Sequence, residues 1–210
     1  LENNLNRFLK RHENDAALKK EVLCLTNKGR EAELLRIGRI DGGSRHKLVF
    51  TARHHCCESM ASYALEGIME SVLGKDELGA WYRENVEILV VPFMDKDGVE
   101  QGDQGKNRKP HDHNRDYGEQ GGIYATVRAF KDLVSSWAEG KLRIAMDMHC
   151  PYIKNGDTGE IIYFVGSRNQ NNWRKVCSFS EILENSQRGP LTYSALNNLS
   201  YGRGWNTGAS

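Results

Sequence analysis

The chain has 210 residues, 39% of them hydrophobic, a length that fits one α/β domain with a sizeable buried core. Its 29 basic and 28 acidic residues leave a net charge of +1, so no broad basic face for nucleic acid is implied, and Lys106-Asn-Arg-Lys109 is too short to make one. No apolar run approaches the ~18 residues of a membrane span, so neither nucleic acid nor a membrane is expected as a partner.

Asn3 to His12 predicts a short helix, and Glu21 to Gly38 a hairpin. Its strands run through Val22 and Cys24 and from Ala32 to Ile37, and its turn is Asn27-Lys-Gly-Arg30. After a loop at Asp41-Gly-Gly-Ser44, Lys47-Leu-Val-Phe-Thr51 reads as an inner strand. Glu58 to Leu73 reads as an amphipathic helix with Ala61, Ala64, Leu65, Ile68 and Val72 along its buried face. Val86 to Phe93 is a second central strand, whose nearly continuous apolar character suits a sheet covered on both faces. Met94 to Gly122 is polar and without periodicity, a length that in a compact domain marks function or disorder. Val127, Phe130, Val134 and Trp137 mark a helix, followed by strands over Leu142–Met146 and Glu160–Val165 and a last helix over Asn169–Asn185. Pro190 to Ser210 reads as loop. The alternation predicts an α/β fold with a mixed, mainly parallel central sheet and helices on both faces.

Five cysteines (Cys24, Cys56, Cys57, Cys150 and Cys177) form an odd set without disulfide-framework spacing. This slightly favours a reducing, cytoplasmic compartment, and localisation is otherwise open. The opening Leu1-Glu-Asn-Asn has neither Met nor a basic-then-apolar leader, as a processed or trimmed start would.

The chemistry concentrates in Thr51-Ala-Arg-His-His-Cys-Cys-Glu58, where a strand hands over to a helix. His55 and Glu58 lie at the carboxyl end of that strand, where open α/β sheets place ligands, and can hold two of four positions around a zinc ion. An H-x-x-E match alone is weak, because surface helices produce it by chance. A core histidine beside a helix-start glutamate favoured by the dipole is the bland explanation. A second imidazole strengthens the metal reading: Asp147-Met-His149 closes the Leu142–Met146 strand. His54 competes with His55, since it lies four residues before Glu58. A thiolate site from Cys56, Cys57 and Cys150 is a rival, although no C-x-x-C pair is present.

Between these ends lie Asp97-Gly-Val99, Asn107-Arg108 and Asp112-His-Asn-Arg-Asp-Tyr117. In this order the motifs resemble the zinc metallocarboxypeptidases of the M14 family, and most closely the cytosolic carboxypeptidase branch, over roughly residues 48 to 152. The resemblance implies one Zn²⁺ held by His55, Glu58 and His149 with a water in the fourth position. It implies that Asn114 and Arg115 hold the free carboxylate of a peptide or protein C-terminus, a task suited to the planar guanidinium fork. It makes Arg108 the donor to the oxyanion, although Arg108 stands closer to Asn114 than the family pattern suggests. Tyr201 falls where a tyrosine closes over the substrate, and the general-base glutamate that should follow is not found in this chain. Residues 1–210 are therefore expected to form a carboxypeptidase-like catalytic domain lacking its C-terminal strand. The implied activity is zinc-dependent removal of a C-terminal residue. Related deacylases of N-acyl amino acids, amidases of peptidoglycan stem peptides and a non-catalytic zinc and carboxylate binder would share the motifs.

Overall fold

The computed structural model describes residues 2–118, 121–150 and 161–207. Its chain divides into two compact units, Leu1–Pro151 and Tyr152–Ser210, each described by itself. In the first unit, helix α1 (Glu2–Arg11) leads into a hairpin of β1 (Leu18–Leu25) and β2 (Glu31–Gly38). Strand β3 (His46–Ala52), helices α2 (Met60–Leu73) and α3 (Glu77–Asn85), and strand β4 (Val86–Val91) follow. A short helix α4 (Lys96–Gln101), a single 3-10 turn at His113–Arg115, helix α5 (Ala125–Trp137) and strand β5 (Leu142–Met148) complete it.

The five strands form one mixed sheet in the order β1-β2-β4-β3-β5. The pairs β1–β2 and β2–β4 are antiparallel, whereas β3 pairs parallel with both β4 and β5. All six residues of β4 are buried, which is what a central strand covered on both faces requires. On one face, Leu35, Ile37, Leu48, Phe50, Ile88 and Val90 pack against Leu5 and Phe8 of α1 and Ala61, Leu65, Met69 and Val72 of α2. On the other, Leu34, Val49, Leu89 and Val91 pack against Val127 and Trp137 of α5. Each such aliphatic side chain taken fully out of water contributes roughly 1.5–3 kcal/mol.

The buried stripe of α2 is rotated from the one the sequence suggests: Met69 is buried and Ala64 is exposed. Two short helices were not anticipated, α3 in a stretch given no element and α4 in the polar segment without periodicity; both start at aspartate caps, Asp76 accepting from the Gly79 amide and Asp95 from the Gly98 amide. In the second unit, helix α6 (Gln170–Ser186) forms over the expected span. The strand expected at Glu160–Val165 does not form over its described residues, 161–165. Val165 makes only an isolated parallel bridge to Leu199. Tyr193 is a buried aromatic among the described residues of this unit, in edge contact with Phe164. No described helix is long and apolar enough to cross a membrane.

Candidate metal centre

The parallel strands β4, β3 and β5 release their chains at one edge of the sheet, and each delivers a polar side chain there: Asp95, His55 and His149. Directly after β3, Arg53 adopts a left-handed backbone with φ 62°. Its buried guanidinium compensates that strain by donating to the Cys56 carbonyl from Nε at 2.8 Å and to Ser62 Oγ at 3.2 Å. The turn so formed gives its two consecutive imidazoles different partners. His55 Nδ1 lies 3.0 Å from Glu58 Oε1, whereas His54 Nδ1 lies 2.7 Å from Asp147 Oδ1.

Glu58 is the hub. Its carboxylate is 1% exposed and receives His55 Nδ1, His149 Nδ1 at 2.7 Å, Lys106 Nζ at 2.8 Å and the Cys150 amide at 3.1 Å. Burial alone would raise its pKa, but the hydrogen bonds from His149, His55 and Lys106 outweigh it and hold the carboxyl far below the usual range. One donor atom from each of His55, Glu58 and His149 lies within 4.8 Å of the other two. The far nitrogen of each imidazole also faces a carboxylate, His149 Nε2 to Asp147 Oδ2 at 2.5 Å and His55 Nε2 to Asp112 Oδ2 at 3.6 Å. A carboxylate behind an imidazole fixes its orientation and leaves the near nitrogen as the ligand atom. A second candidate group, His54, Asp147 and His149, shares His149 with the first.

The polar loop before α5 borders this cluster. Gly105 packs so closely that a Cβ there would meet the Cys56 amide at 2.7 Å, and one at Gly98 would meet the Arg108 guanidinium at 2.3 Å. Asp112 caps the 3-10 turn by accepting from the Asn114 and Arg115 amides, and its second oxygen faces His55. Asn114 and Arg115 thus stand on an exposed turn joined to the cluster through one carboxylate, with the Arg115 guanidinium 3.3 Å from Asp112 Oδ2. Arg108 is engaged elsewhere. It donates to Asp95 from Nε at 2.8 Å and to Asp103 at 3.1 Å, and these carboxylates raise its pKa. Among the described residues its hydrogen bonds and ion pairs include none of His55, Glu58 or His149.

Tyr201 belongs to the second unit, where its hydroxyl accepts from Arg168 Nε at 2.6 Å. Glu181 and Glu184 both lie on α6, and Glu184 accepts from Ser194. The sequence reading gave no role to Asp112, Asp147, Tyr117 or Lys106. Asp147 had a usable signal, since residues two apart in an extended chain share a face, and Asp147 precedes His149 by two.

Two converging imidazoles and an ionised carboxylate suit a zinc ion with one position left open. Burial would lower the His149 pKa, but the hydrogen bonds to Asp147 and Glu58 raise it to about 10. A cation taking Nδ1 of His149 at neutral pH must displace a proton. Zinc binding is expected to release about one proton at pH 7.5 and to tighten as pH rises toward 10. The calorimetric enthalpy will then depend on the ionisation enthalpy of the buffer; an enthalpy independent of buffer would contradict this assignment.

Fold and donor set together define the class: an α/β protein with a candidate single-metal centre at the carboxyl edge of its parallel strands. The sequence profile of the family described as zinc carboxypeptidase matches residues 6–149, and the chain belongs to that family, peptidase M14. It is 26% identical over 137 residues to cytosolic carboxypeptidase 4 of Mus musculus, covering 63% of this chain and 12% of that protein. To cytosolic carboxypeptidase 6 of Caenorhabditis elegans it is 26% identical over 147 residues, covering 69% of this chain and 29% of that protein. A metallo-carboxypeptidase structure from Burkholderia cenocepacia shares the fold, with TM-score 0.71 and 21% identity over 92% of this chain and 52% of that one. The chain thus spans under a third of these curated relatives and about half of the solved structure.

Proposed function

We propose that the chain carries the metal centre and carboxylate-binding turn of a zinc-dependent carboxypeptidase, which hydrolyses the last peptide bond of a peptide or protein. The observation that carries this reading is the convergence of His55, Glu58 and His149, each imidazole backed by its own aspartate. Zinc held by these three would polarise the scissile carbonyl and acidify a water.

The chain's own groups supply the rest. His149 and Lys106 keep Glu58 ionised, and Asp112 and Asp147 hold the imidazoles in place. Asn114 and Arg115 take the substrate carboxylate, the half-exposed Arg115 offering its guanidinium fork to an incoming anion. Arg108, fixed by Asp95 and Asp103 through Nε and one terminal nitrogen, presents its other terminal nitrogen to an oxygen that gains charge. The family resemblance assigns Tyr201 the role of closing over the substrate; within its own unit its hydroxyl accepts from Arg168. No glutamate of the described residues is assigned as general base, so the test is read in binding as well as turnover.

With zinc supplied, a peptide with a free C-terminus should bind far more tightly than its amidated counterpart. Equal affinity and equal turnover would reassign the chain to another kind of amide hydrolase. Arg115→Ala should remove most of that preference, on the order of 2–4 kcal/mol for a charge-assisted bidentate contact. Its unfolding free energy should move by less than about 0.5 kcal/mol, because the side chain is 48% exposed and buried Asp112 keeps the amide hydrogen bonds of Asn114 and Arg115 without it.

A further inference from the structure

His54 is 1% exposed, and both of its ring nitrogens are engaged. Nδ1 lies 2.7 Å from Asp147 Oδ1 and Nε2 lies 2.6 Å from the Tyr117 hydroxyl. An ionised carboxylate only accepts, so Nδ1 carries a proton, and in the tautomer protonated there alone Nε2 accepts from the Tyr117 hydroxyl. Asp147 is gripped from two further sides, by the Thr51 hydroxyl at 2.8 Å on Oδ1 and by His149 Nε2 at 2.5 Å on Oδ2. Thr51 and Asp147 are register partners across β3 and β5, which sets the carboxylate at the height of His149.

We infer that Tyr117 and His54 are positioning residues that latch the Asn114–Arg115 turn to the metal ligand His149. The inference rests on the proposed zinc site. Its basis is connectivity: Tyr117 follows Arg115 by two residues, and from it runs an unbroken line of hydrogen bonds through His54 and Asp147 to His149. The same turn reaches the other imidazole through Asp112. The substrate-binding turn and the metal ligands are thereby held in one frame from both sides. A carboxylate with three donors on two oxygens has one orientation; with Tyr117 unable to donate, His54 can turn, and Asp147 loses its alignment on His149.

The test is a double-mutant cycle on zinc affinity of the full 210-residue chain, read by competition with a chromophoric chelator. Tyr117→Phe, which keeps the ring and removes one oxygen, should weaken zinc about 10-fold, the effect typical of losing a group behind a ligand. In an Asp147→Asn background it should cause no further loss, because the line is already cut. A His54→Gln background should behave in the same way, which keeps the cycle readable if Asp147→Asn does not fold. A purely structural role would lower the unfolding midpoint in chelator and leave zinc affinity untouched, and that result overturns the inference. So do additive losses, and so does a second equivalent of zinc bound by His54, Asp147 and His149. If the unsubstituted chain binds no zinc, the proposed function itself fails and takes this inference with it, an outcome distinct from the others.

Discussion

Glu58→Gln is expected to lower zinc affinity by about two orders of magnitude. Structural zinc sites bind with roughly 10–16 kcal/mol over four ligands, so one protein ligand accounts for about 3 kcal/mol, and a neutral amide oxygen is a poor replacement. The substitution also separates the two candidate donor groups. Both contain His149, so removing that imidazole cannot tell them apart, whereas only one contains Glu58. If Glu58→Gln binds zinc as tightly as the unsubstituted chain, the centre is not His55–Glu58–His149. Equilibrium dialysis against buffered zinc, with the unfolding midpoint recorded in chelator, measures both terms. A second consequence follows from the charges. Glu58 is one of two carboxylates that raise the His149 pKa to about 10, so in Glu58→Gln that pKa should fall, visible as an earlier imidazole titration by NMR.

The three converging residues could be picked from the sequence because their signals are local. His55 and Glu58 are three apart at the end of an apolar run, and His149 follows another such run. The sheet then joins them, since β3 and β5 are adjacent and parallel. What stayed hidden depends on pairings between distant segments. His54 was visible only as a competitor of His55, and its role as partner of Asp147 and Tyr117 requires the β3–β5 register and the return of the loop before α5. Arg108 could be placed by its motif, but not its hold on Asp95, which arrives from the end of β4. Helices α3 and α4 were missed because each is short and begins at an aspartate cap inside a polar stretch with little apolar periodicity. The strand expected near Val165 reads as apolar, yet its described residues find only Leu199 as a bridge.

A net charge of +1 conceals how the charges are arranged. From Asp112 the order runs His55, Glu58, His149, Asp147, His54 and Tyr117, carboxylate and imidazole alternating until a phenol ends the series. His54 and His149 are each hydrogen-bonded at both nitrogens, and His55 sits between Glu58 at 3.0 Å and Asp112 at 3.6 Å, so ring orientation is decided by the neighbours rather than by rotamer preference. Lys106 adds a cation to the central carboxylate, which balances a centre that would otherwise gather negative charge out of water.

His113 offers a readout of the same loop that does not pass through the candidate metal ligands. Its ring stacks on Tyr124 at 3.6 Å, its side chain is 7% exposed, and its buried Nδ1 makes no hydrogen bond among the described residues, with Asp95 Oδ2 at 3.7 Å. Burial lowers its pKa to about 4, with Arg108 pushing the same way and Asp95 and Asp116 opposing. The sign follows. Above pH 6.5 the ring is neutral in both folded and unfolded chains and does not affect their balance. As pH falls through 6.5 the unfolded chain takes up a proton that the folded chain refuses, so stability drops until pH 4, where the folded ring also titrates. At about 1.4 kcal/mol per unit the loss from this residue is about 3 kcal/mol. His113→Phe keeps the stack on Tyr124 and removes the titration. Urea unfolding free energies in chelator at pH 7 and pH 4 should therefore differ less in the variant, by about 3 kcal/mol, with acid sensitivity from the carboxylates common to both. Parallel pH curves would show that the ring takes up its proton in the folded chain, against its burial beside Tyr124.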